Sequence, residues 1–167
     1  MLIRQLNLES ASTLQRIRGV VDIEGTLGRP AERQRALTAE FIENQLRAPF
    51  ETFGAFVCDE LVGSASLCRM LESPIDPDLI NWFGLSAVIV HPDFRGQGPG
   101  RALVRECLSR AEQQGGKGML LEVNVPNPAK ALYHSLGFEV WNVYEGAYQR
   151  NGQRIDQVSM RKLLNVV

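Results

Sequence analysis

A glycine-rich segment in the second half of the chain has the residue types of a phosphate-binding loop. It reads Arg95, Gly96, Gln97, Gly98, Pro99 and Gly100, and Arg101 follows it. Glycine lets a backbone turn tightly and bring its N–H groups close to a ligand. An apolar, strand-like run over 84–90 leads into the segment, and a helix-like pattern leaves it. Because a helix N-terminus behind a glycine loop attracts anions, and two arginines add charge, the segment predicts a site for phosphate groups.

Two well-known phosphate motifs fit this segment poorly. A dinucleotide-binding loop needs a third glycine for close helix–strand packing, and Arg101 stands at that position. Glu122 lies about twenty residues further on, as that motif asks, but roughly ninety residues precede the loop and no second mononucleotide-binding half follows it. A Walker loop ends in Gly-Lys and then Ser or Thr, whereas this segment ends Gly100, Arg101 and Ala102. A plain glycine turn without a ligand is the remaining alternative, and the flanking arginines disfavour it.

The composition predicts a single domain over 1–167. Of the 167 residues, 44% are hydrophobic and 22% are charged, and the formal net charge is −1. This balance does not indicate a partner among nucleic acids. We expect a cytoplasmic protein without a membrane segment, since the sequence has neither a leader pattern nor an apolar run approaching ~18 residues. The cysteines Cys58, Cys68 and Cys107 lack metal-ligand spacing, so we predict buried reduced thiols and no metal site.

The periodicity of apolar residues predicts alternating strands and helices along the chain. The predicted strands cover 2–6, 52–58, 61–70, 80–90, 119–125, 138–144 and 155–164, and the predicted helices cover 10–24, 30–48, 99–114 and 127–135. The order is therefore β-α-α-β-β-β-α-β-α-β-β. Strand 80–90, helix 99–114 and strand 119–125 form a parallel βαβ unit. The fold class is α/β, with a mixed, mostly antiparallel central sheet of about seven strands and helices on both faces.

Two motifs in this order occur together in one enzyme family. The first is Arg95-x-x-Gly98-x-Gly100, and it follows a strand that ends Val88, Ile89, Val90, His91 and Pro92. The second is Ala129-x-x-Leu132-Tyr133-x-x-x-Gly137-Phe138. With the element order over nearly the full chain, they resemble the Gcn5-related N-acetyltransferase (GNAT) family. Pro99 departs from the usual aliphatic residue, but proline is tolerated at the first position of a helix.

The resemblance implies that acetyl-coenzyme A is the donor substrate and that no metal takes part. The implied pyrophosphate site consists of the backbone N–H groups of Arg95, Gly96, Gln97, Gly98 and Gly100, with Arg101 beside them. Strand 80–90 would separate from strand 119–125, and backbone groups of Val88 and Val90 would bind the pantetheine arm in the gap. Asn127 lies near the family's coenzyme A-binding asparagine, one residue closer to the tyrosine than usual. Tyr133 matches the family's general acid.

The implied reaction is the attack of an amine on a thioester. Only a neutral amine is nucleophilic, so a base has to accept a proton, and the departing thiolate, with a pKa of ~8.5 as a thiol, needs a proton back. A tyrosine hydroxyl at hydrogen-bond distance can supply it, which is the role assigned to Tyr133; the alternative for Tyr133 is a core aromatic residue. The candidates for the base are Glu24, Glu122 and His91, and a water chain is a further alternative.

The acceptor is expected to be a primary amine of a small molecule or a peptide. Loops 25–30 and 71–80 are expected to border its pocket, and Trp82 with nearby acidic residues would suit a cationic amine. The alternative for these acidic residues is a solvated loop without a ligand. The hairpin at 144–156 is expected either to line the acceptor side or to join two copies as a homodimer. A non-catalytic acyl-coenzyme A-binding module of the same fold is the alternative to an enzyme.

Overall fold

The structure is a computed structural model that describes residues 1–23, 39–71, 76–150 and 152–165. The strands are β1 (Leu2–Gln5), β2 (Phe50–Val57), β3 (Glu60–Arg69), β4 (Phe83–Val90), β5 (Gly118–Asn124), β6 (Glu139–Arg150) and β7 (Gln153–Leu163). The helices within the described ranges are α1 (Ala11–Ile23), α2 (Ala39–Gln45), α3 (Pro99–Gln113) and α4 (Ala129–Ser135). The predicted element order is therefore confirmed.

The strands form one seven-stranded sheet in the order β1-β2-β3-β4-β5-β7-β6. Among the described strands, only β4 and β5 are parallel neighbours, and α3 connects them. The other neighbours are antiparallel. The mixed, mostly antiparallel sheet and its central βαβ unit were thus predicted correctly, because hairpin turns and one helical crossover are both visible in a sequence.

Two apolar clusters lie on opposite faces of this sheet. The larger cluster joins α3 and α4 to the sheet and includes Leu103 and Tyr133. The smaller cluster joins α1 and α2 to it and includes Leu14 and Ile42. Successive residues of a strand point to opposite faces, and Leu61 and its neighbour Val62 accordingly belong to different clusters. We refer to the two sides as the α3 face and the α1 face.

The structure corrects several predicted boundaries. β4 begins at Phe83 rather than 80, because a short 3₁₀ turn at Pro77–Leu79 and a positive φ of 68° at Asn81 precede it. β6 continues to Arg150 instead of ending at 144, with irregular pairing between Tyr144 and Tyr148. The part of the predicted second helix before α2 lies outside the described residues.

The expected burial of the three cysteines is confirmed only in part. Cys107 on α3 is buried and Cys68 is partly buried, whereas Cys58 is exposed. The reason is local, since Cys58 and Asp59 have φ of 48° and 64° and form the turn between β2 and β3, not the end of a strand. Among the described helices, none is both long and apolar enough to cross a lipid bilayer.

Candidate functional site

β4 and β5 run side by side for a short distance and then separate. Their pairing consists of Phe83 with Met119 and Gly84 with Leu120. Beyond Gly84, β4 continues to Val90 while β5 continues to Asn124 without pairing to it. We call this gap the β4–β5 cleft. It lies where strand separation was implied for the pantetheine arm.

An irregularity in β4 accounts for the separation. The register between β3 and β4 shifts between Ser64 and Ser66, which pair with Ile89 and Ser86. Ala87, in the extra stretch of β4, has a φ of 51°. A bulge of this kind bends the strand that carries it and increases its local twist. The bend allows the second half of β4 to stay paired with β3 while it leaves β5.

The backbone groups of Val88 and Val90 face the cleft. The N–H of His91 donates to the carbonyl oxygen of Val62 on β3, with an N–O distance of 2.8 Å. Because backbone groups alternate between the two edges of a strand, those of Val90 and Val88 point toward the other edge. There the carbonyl oxygen of Val90 accepts a hydrogen bond from Nε of Arg95 at 3.2 Å.

The glycine loop lies at the wide end of the cleft and leads directly into α3. Gly96 and Gly98 have φ of 73° and 99°, in the region that only glycine adopts without strain. A Cβ atom at either position would meet no atom within 4 Å, so the space in front of the loop is open. The N–H of Ala102 makes a bond to the carbonyl of Gly98 at 3.0 Å. The N–H groups of Gly100 and Arg101 belong to the first turn, where helices offer donors to anions.

The polar side chains of the loop make contacts with the protein. Nε2 of Gln97 donates to the carbonyl of Asp93 at 2.8 Å. Nη2 of Arg101 donates to Oγ of Ser135 on α4 at 2.8 Å. Arg101 was predicted to lie beside the loop N–H groups at the pyrophosphate site. In the structure its guanidinium group is hydrogen-bonded to α4.

Tyr133 is buried on the α3 face, with 6% of its surface exposed. Its ring meets that of Phe138 edge to face, at a centroid distance of 6.0 Å. Burial raises the pKa of the Tyr133 hydroxyl to about 12, and the nearby Cys107 adds a smaller contribution in the same direction. The hydroxyl therefore stays protonated at neutral pH, which is the state that a proton donor needs.

Glu122 lies on β5 and faces the opposite side of the sheet from Tyr133. Its neighbours Leu121 and Val123 belong to the cluster that contains Tyr133, so alternation puts Glu122 on the α1 face. The side chain is exposed, and its Oε2 accepts a hydrogen bond from Nε2 of Gln157 on β7 at 2.7 Å. Tyr133 and Glu122 therefore lie on opposite faces of the sheet.

Comparison with known proteins decides the family. The family model described as an acetyltransferase (GNAT) domain matches residues 51–140, which contain the cleft, the glycine loop and Tyr133. The chain belongs to the GNAT family. The resemblance inferred from the two motifs is therefore confirmed.

Individual relatives agree with this assignment. The chain is similar to a [ribosomal protein bS18]-alanine N-acetyltransferase from Escherichia coli strain K12, with 36% identity over 74 residues, which is 44% of this chain and 50% of the relative. The match thus spans about half the length of that protein. A crystal structure of a ribosomal-protein-alanine N-acetyltransferase from Brucella melitensis superposes with a TM-score of 0.78 and 26% identity, over 98% of this chain and 100% of the other. A putative acetyltransferase from Salmonella typhimurium, solved with acetyl-CoA, superposes with a TM-score of 0.76 and 21% identity, over 99% and 94%.

Asn127 has a structural task in this GNAT protein. Its side-chain Oδ1 accepts a hydrogen bond from the N–H of Ala129 at 2.9 Å, and its own N–H donates to the carbonyl of Asn124 at 2.9 Å. It therefore shapes the turn between β5 and α4, and α4 starts at Ala129 rather than at the predicted 127. The amide Nδ2 provides donors that a ligand in the cleft could use.

The other candidate residues divide into three groups. Glu24 and the loop 25–30 lie outside the described residues, as do residues 72–75 of the loop 71–80. His91 is engaged in a turn, where its Nδ1 accepts a hydrogen bond from the N–H of Asp93 at 3.4 Å. Trp82 was expected to border the acceptor pocket, but it is only 7% exposed and its ring packs against Gly118 at the paired end of the cleft. In the part of the chain that the structure describes, no cluster of three or more His, Cys, Asp or Glu residues could hold a metal ion.

Sequence reasoning missed two residues that contact the candidate site. Gln157 holds Glu122, and Ser135 holds Arg101. These partners are 35 and 34 residues apart in the chain. Local patterns could not reveal them, because only strand register and the docking of α4 onto α3 bring each pair together.

Proposed function

We propose that this GNAT protein is an N-acetyltransferase that moves the acetyl group of acetyl-coenzyme A directly onto a primary amine, with Tyr133 as general acid. The observation that carries the proposal is the β4–β5 cleft, with an open backbone edge, a glycine loop at its wide end and a protonated tyrosine on one face. The family match and the acetyl-CoA complex of the Salmonella typhimurium structure support acetyl-coenzyme A as donor.

The residues at the cleft fit such a donor. The loop N–H groups of Gly96, Gly98, Gly100 and Arg101 would take the pyrophosphate, together with the positive end of α3 and the charge of Arg95. The backbone groups of Val88 and Val90 would pair with the amides of the pantetheine arm in place of a neighbouring strand. Gln97 and Asn127 would contribute further contacts. The open space in front of Gly96 and Gly98 supports this arrangement.

The proposed chemistry forms one bond and breaks one. The amine nitrogen attacks the thioester carbonyl carbon, the carbon–sulfur bond breaks, and the sulfur takes the proton of the Tyr133 hydroxyl, which then regains a proton from water. The excess proton of the amine passes to the Glu122 carboxylate, directly or through water. Gln157 binds one oxygen of that carboxylate, and the other oxygen would accept the proton. Glu24 stays an alternative base.

We propose a peptide N-terminal amine as the acceptor, in preference to a small-molecule amine. The relatives from Escherichia coli and Brucella melitensis are named for acetylation of an alanine in a ribosomal protein. An α-amine has a pKa of ~7.7–8.0, against ~10.4 for a lysine side chain, so a sizeable neutral fraction exists at neutral pH. An exposed carboxylate such as Glu122 is then a sufficient base.

A thiol-release assay tests the proposal. Acetyl-coenzyme A would be incubated with peptides that have free N-termini, the same peptides with blocked N-termini, lysine-containing peptides, polyamines and amino acids. We expect thiol release with free N-termini and none with their blocked counterparts. Release only with small amines would contradict the peptide acceptor. Coenzyme A binding without turnover on any amine would contradict an enzyme and favour the non-catalytic module.

A further inference from the structure

A chain of contacts connects the start of α3 to α4. Nη2 of Arg101 donates to Oγ of Ser135 at 2.8 Å, and Oγ of Ser135 donates to the carbonyl oxygen of Leu132 at 2.7 Å. Beside them, a Cβ atom at Gly100 would lie 3.4 Å from Cδ2 of Leu132, so the loop and α4 are in close packing contact. These contacts involve Leu132 and Ser135, which lie on either side of Tyr133 in the chain.

The directions of the two hydrogen bonds are mutually consistent. A serine hydroxyl has one proton and two lone pairs. The proton goes to Leu132, and a lone pair accepts the guanidinium N–H of Arg101. Bonds with an ionised donor are stronger than neutral ones, and successive hydrogen bonds polarise each other. The positive charge of Arg101 is thus linked through Ser135 to the peptide group that precedes Tyr133.

The helix α4 depends on such contacts for its orientation. It spans only Ala129–Ser135, and a helix of that length has little stability of its own. The Tyr133 ring anchors its inner side in the apolar cluster on the α3 face. Ala129 and Leu132 also pack against that cluster, and the Ser135 hydroxyl adds a polar contact from the C-terminal end of α4 to α3. Small shifts of α4 would move the Tyr133 hydroxyl relative to the cleft.

We propose that Arg101, acting through Ser135, is a positioning residue for Tyr133, and that its side chain is not a phosphate ligand. Only the backbone N–H of Arg101 belongs to the donor site. The inference rests on the proposed function for its kinetic consequence, because Tyr133 matters only if the protein transfers acetyl groups. Its structural consequence, a fixed α4, can be measured without turnover.

The test compares R101A, S135A and the double variant with wild type. We expect each single variant to lower kcat by about two- to fivefold, because both hydrogen bonds of the link are exposed to solvent, and to leave the Kd for coenzyme A within about twofold. The double variant should be no slower than either single one, since both remove the same link. S135T keeps the hydroxyl and should retain most of the activity. R105A serves as the matched control, because Arg105 is an exposed arginine one turn further along α3.

Two results would overturn the inference. A raised Kd for coenzyme A in R101A, with S135A unchanged, would make the guanidinium a phosphate ligand. Unchanged kcat in S135A would show that the link has no role in positioning. If wild type transfers acetyl to no amine, hydrogen exchange of the amides over 129–136 decides the matter separately. Faster exchange in R101A and S135A but not in R105A supports the link, and equal exchange in all three variants contradicts it.

Discussion

The two edges of β5 differ sharply in how their backbone groups are used. Toward β7, pairing runs without interruption from Gly118 with Leu163 to Asn124 with Gln157. Toward β4, it stops after Leu120. Backbone N–H and C=O groups need partners, so the edge that the fold leaves open is an edge for water or a ligand. The candidate site lies where β4 and β5 leave their backbone hydrogen bonds unmade.

A residue across the paired edge of β5 also contacts a candidate residue of the site. Gln157 on β7 reaches across the paired edge and binds the carboxylate of Glu122. The regular register fixes this contact, since Gln157 and Ser159 lie opposite Asn124 and Glu122. The open edge instead depends on the bulge at Ala87 and on α4, which are irregular and short elements. Substitutions at the open edge should therefore change chemistry or binding, and they can be compared with matched positions elsewhere.

The largest effect is expected for Y133F. Removal of the hydroxyl should lower kcat by at least ~100-fold, the usual contribution of a general acid. The KM for acetyl-coenzyme A should change little, because the ring remains packed against Phe138. Steady-state kinetics measure both constants. A thermal unfolding curve like that of wild type serves as the folding control, and undiminished turnover in a folded Y133F protein would make Tyr133 a core residue only.

The sequence predicted the local motifs of the site better than it predicted the opening between the strands. The glycine loop and the Tyr133 motif are local patterns, and positive φ at Gly96 and Gly98 explains why glycine occurs there. The bulge at Ala87 has no local signature, because alanine does not favour a φ of 51°. The opening could only be inferred from the family resemblance.

Long-range contacts mark the limit of sequence reasoning at this site. Trp82 has the composition of a binding residue, yet packing against Gly118 takes up its ring. Gln157 and Ser135 have ordinary local contexts, yet each binds a candidate functional residue. Whether a side chain faces a ligand or the core depends on register and helix docking, which involve residues distant in sequence.

E122Q tests whether the paired edge contributes a base to the open edge. The amide keeps the shape and can still accept the hydrogen bond from Gln157, but it cannot take a proton. We expect kcat to fall by about tenfold at pH 7. The difference should narrow toward pH 9, because the amine then loses its proton to solvent.

The matched control for E122Q is E112Q, an exposed glutamate on α3 that should leave kcat unchanged. The measurement is kcat against pH for the three proteins. If E122Q had the wild-type kcat at pH 7, Glu122 would not be the base, and Glu24 or water would be the remaining candidates.

G96A and G115A compare the two ends of α3. Both glycines have similar φ, 73° and 69°, and neither would place a Cβ within 4 Å of another atom. Each substitution should destabilise the fold by about 1–2 kcal/mol, the cost of a left-handed conformation for alanine. Only Gly96 belongs to the proposed phosphate site. G96A should therefore weaken coenzyme A binding by about fivefold or more as the loop relaxes away from its strained geometry.

Calorimetric titration with coenzyme A and thermal unfolding separate the two effects in this pair. If G115A weakened binding as much as G96A, the loss would come from general destabilisation and not from the loop. If neither variant changed binding, the loop would not hold the donor.

The smallest effect is expected for the alkaline limb of the pH profile. Burial raises the pKa of Tyr133 to about 12, so its hydroxyl keeps its proton to a higher pH than an exposed tyrosine, whose pKa is ~10. At saturating substrate, kcat should rise as the amine loses its proton and then stay level up to pH 10.

The raised pKa of Tyr133 also affects the free energy of unfolding. Below pH 10 the tyrosine is protonated in both folded and unfolded chains and contributes no pH dependence. As pH rises from 10 toward 12, the unfolded chain loses the proton first, so stability falls. Y133F should lack that part of the fall. The residual activity of Y133F is the reference for the kinetic profile. If kcat of the wild type fell with an apparent pKa near 9 and that of Y133F did not, the Tyr133 hydroxyl would be exposed to solvent. That result would contradict a buried general acid.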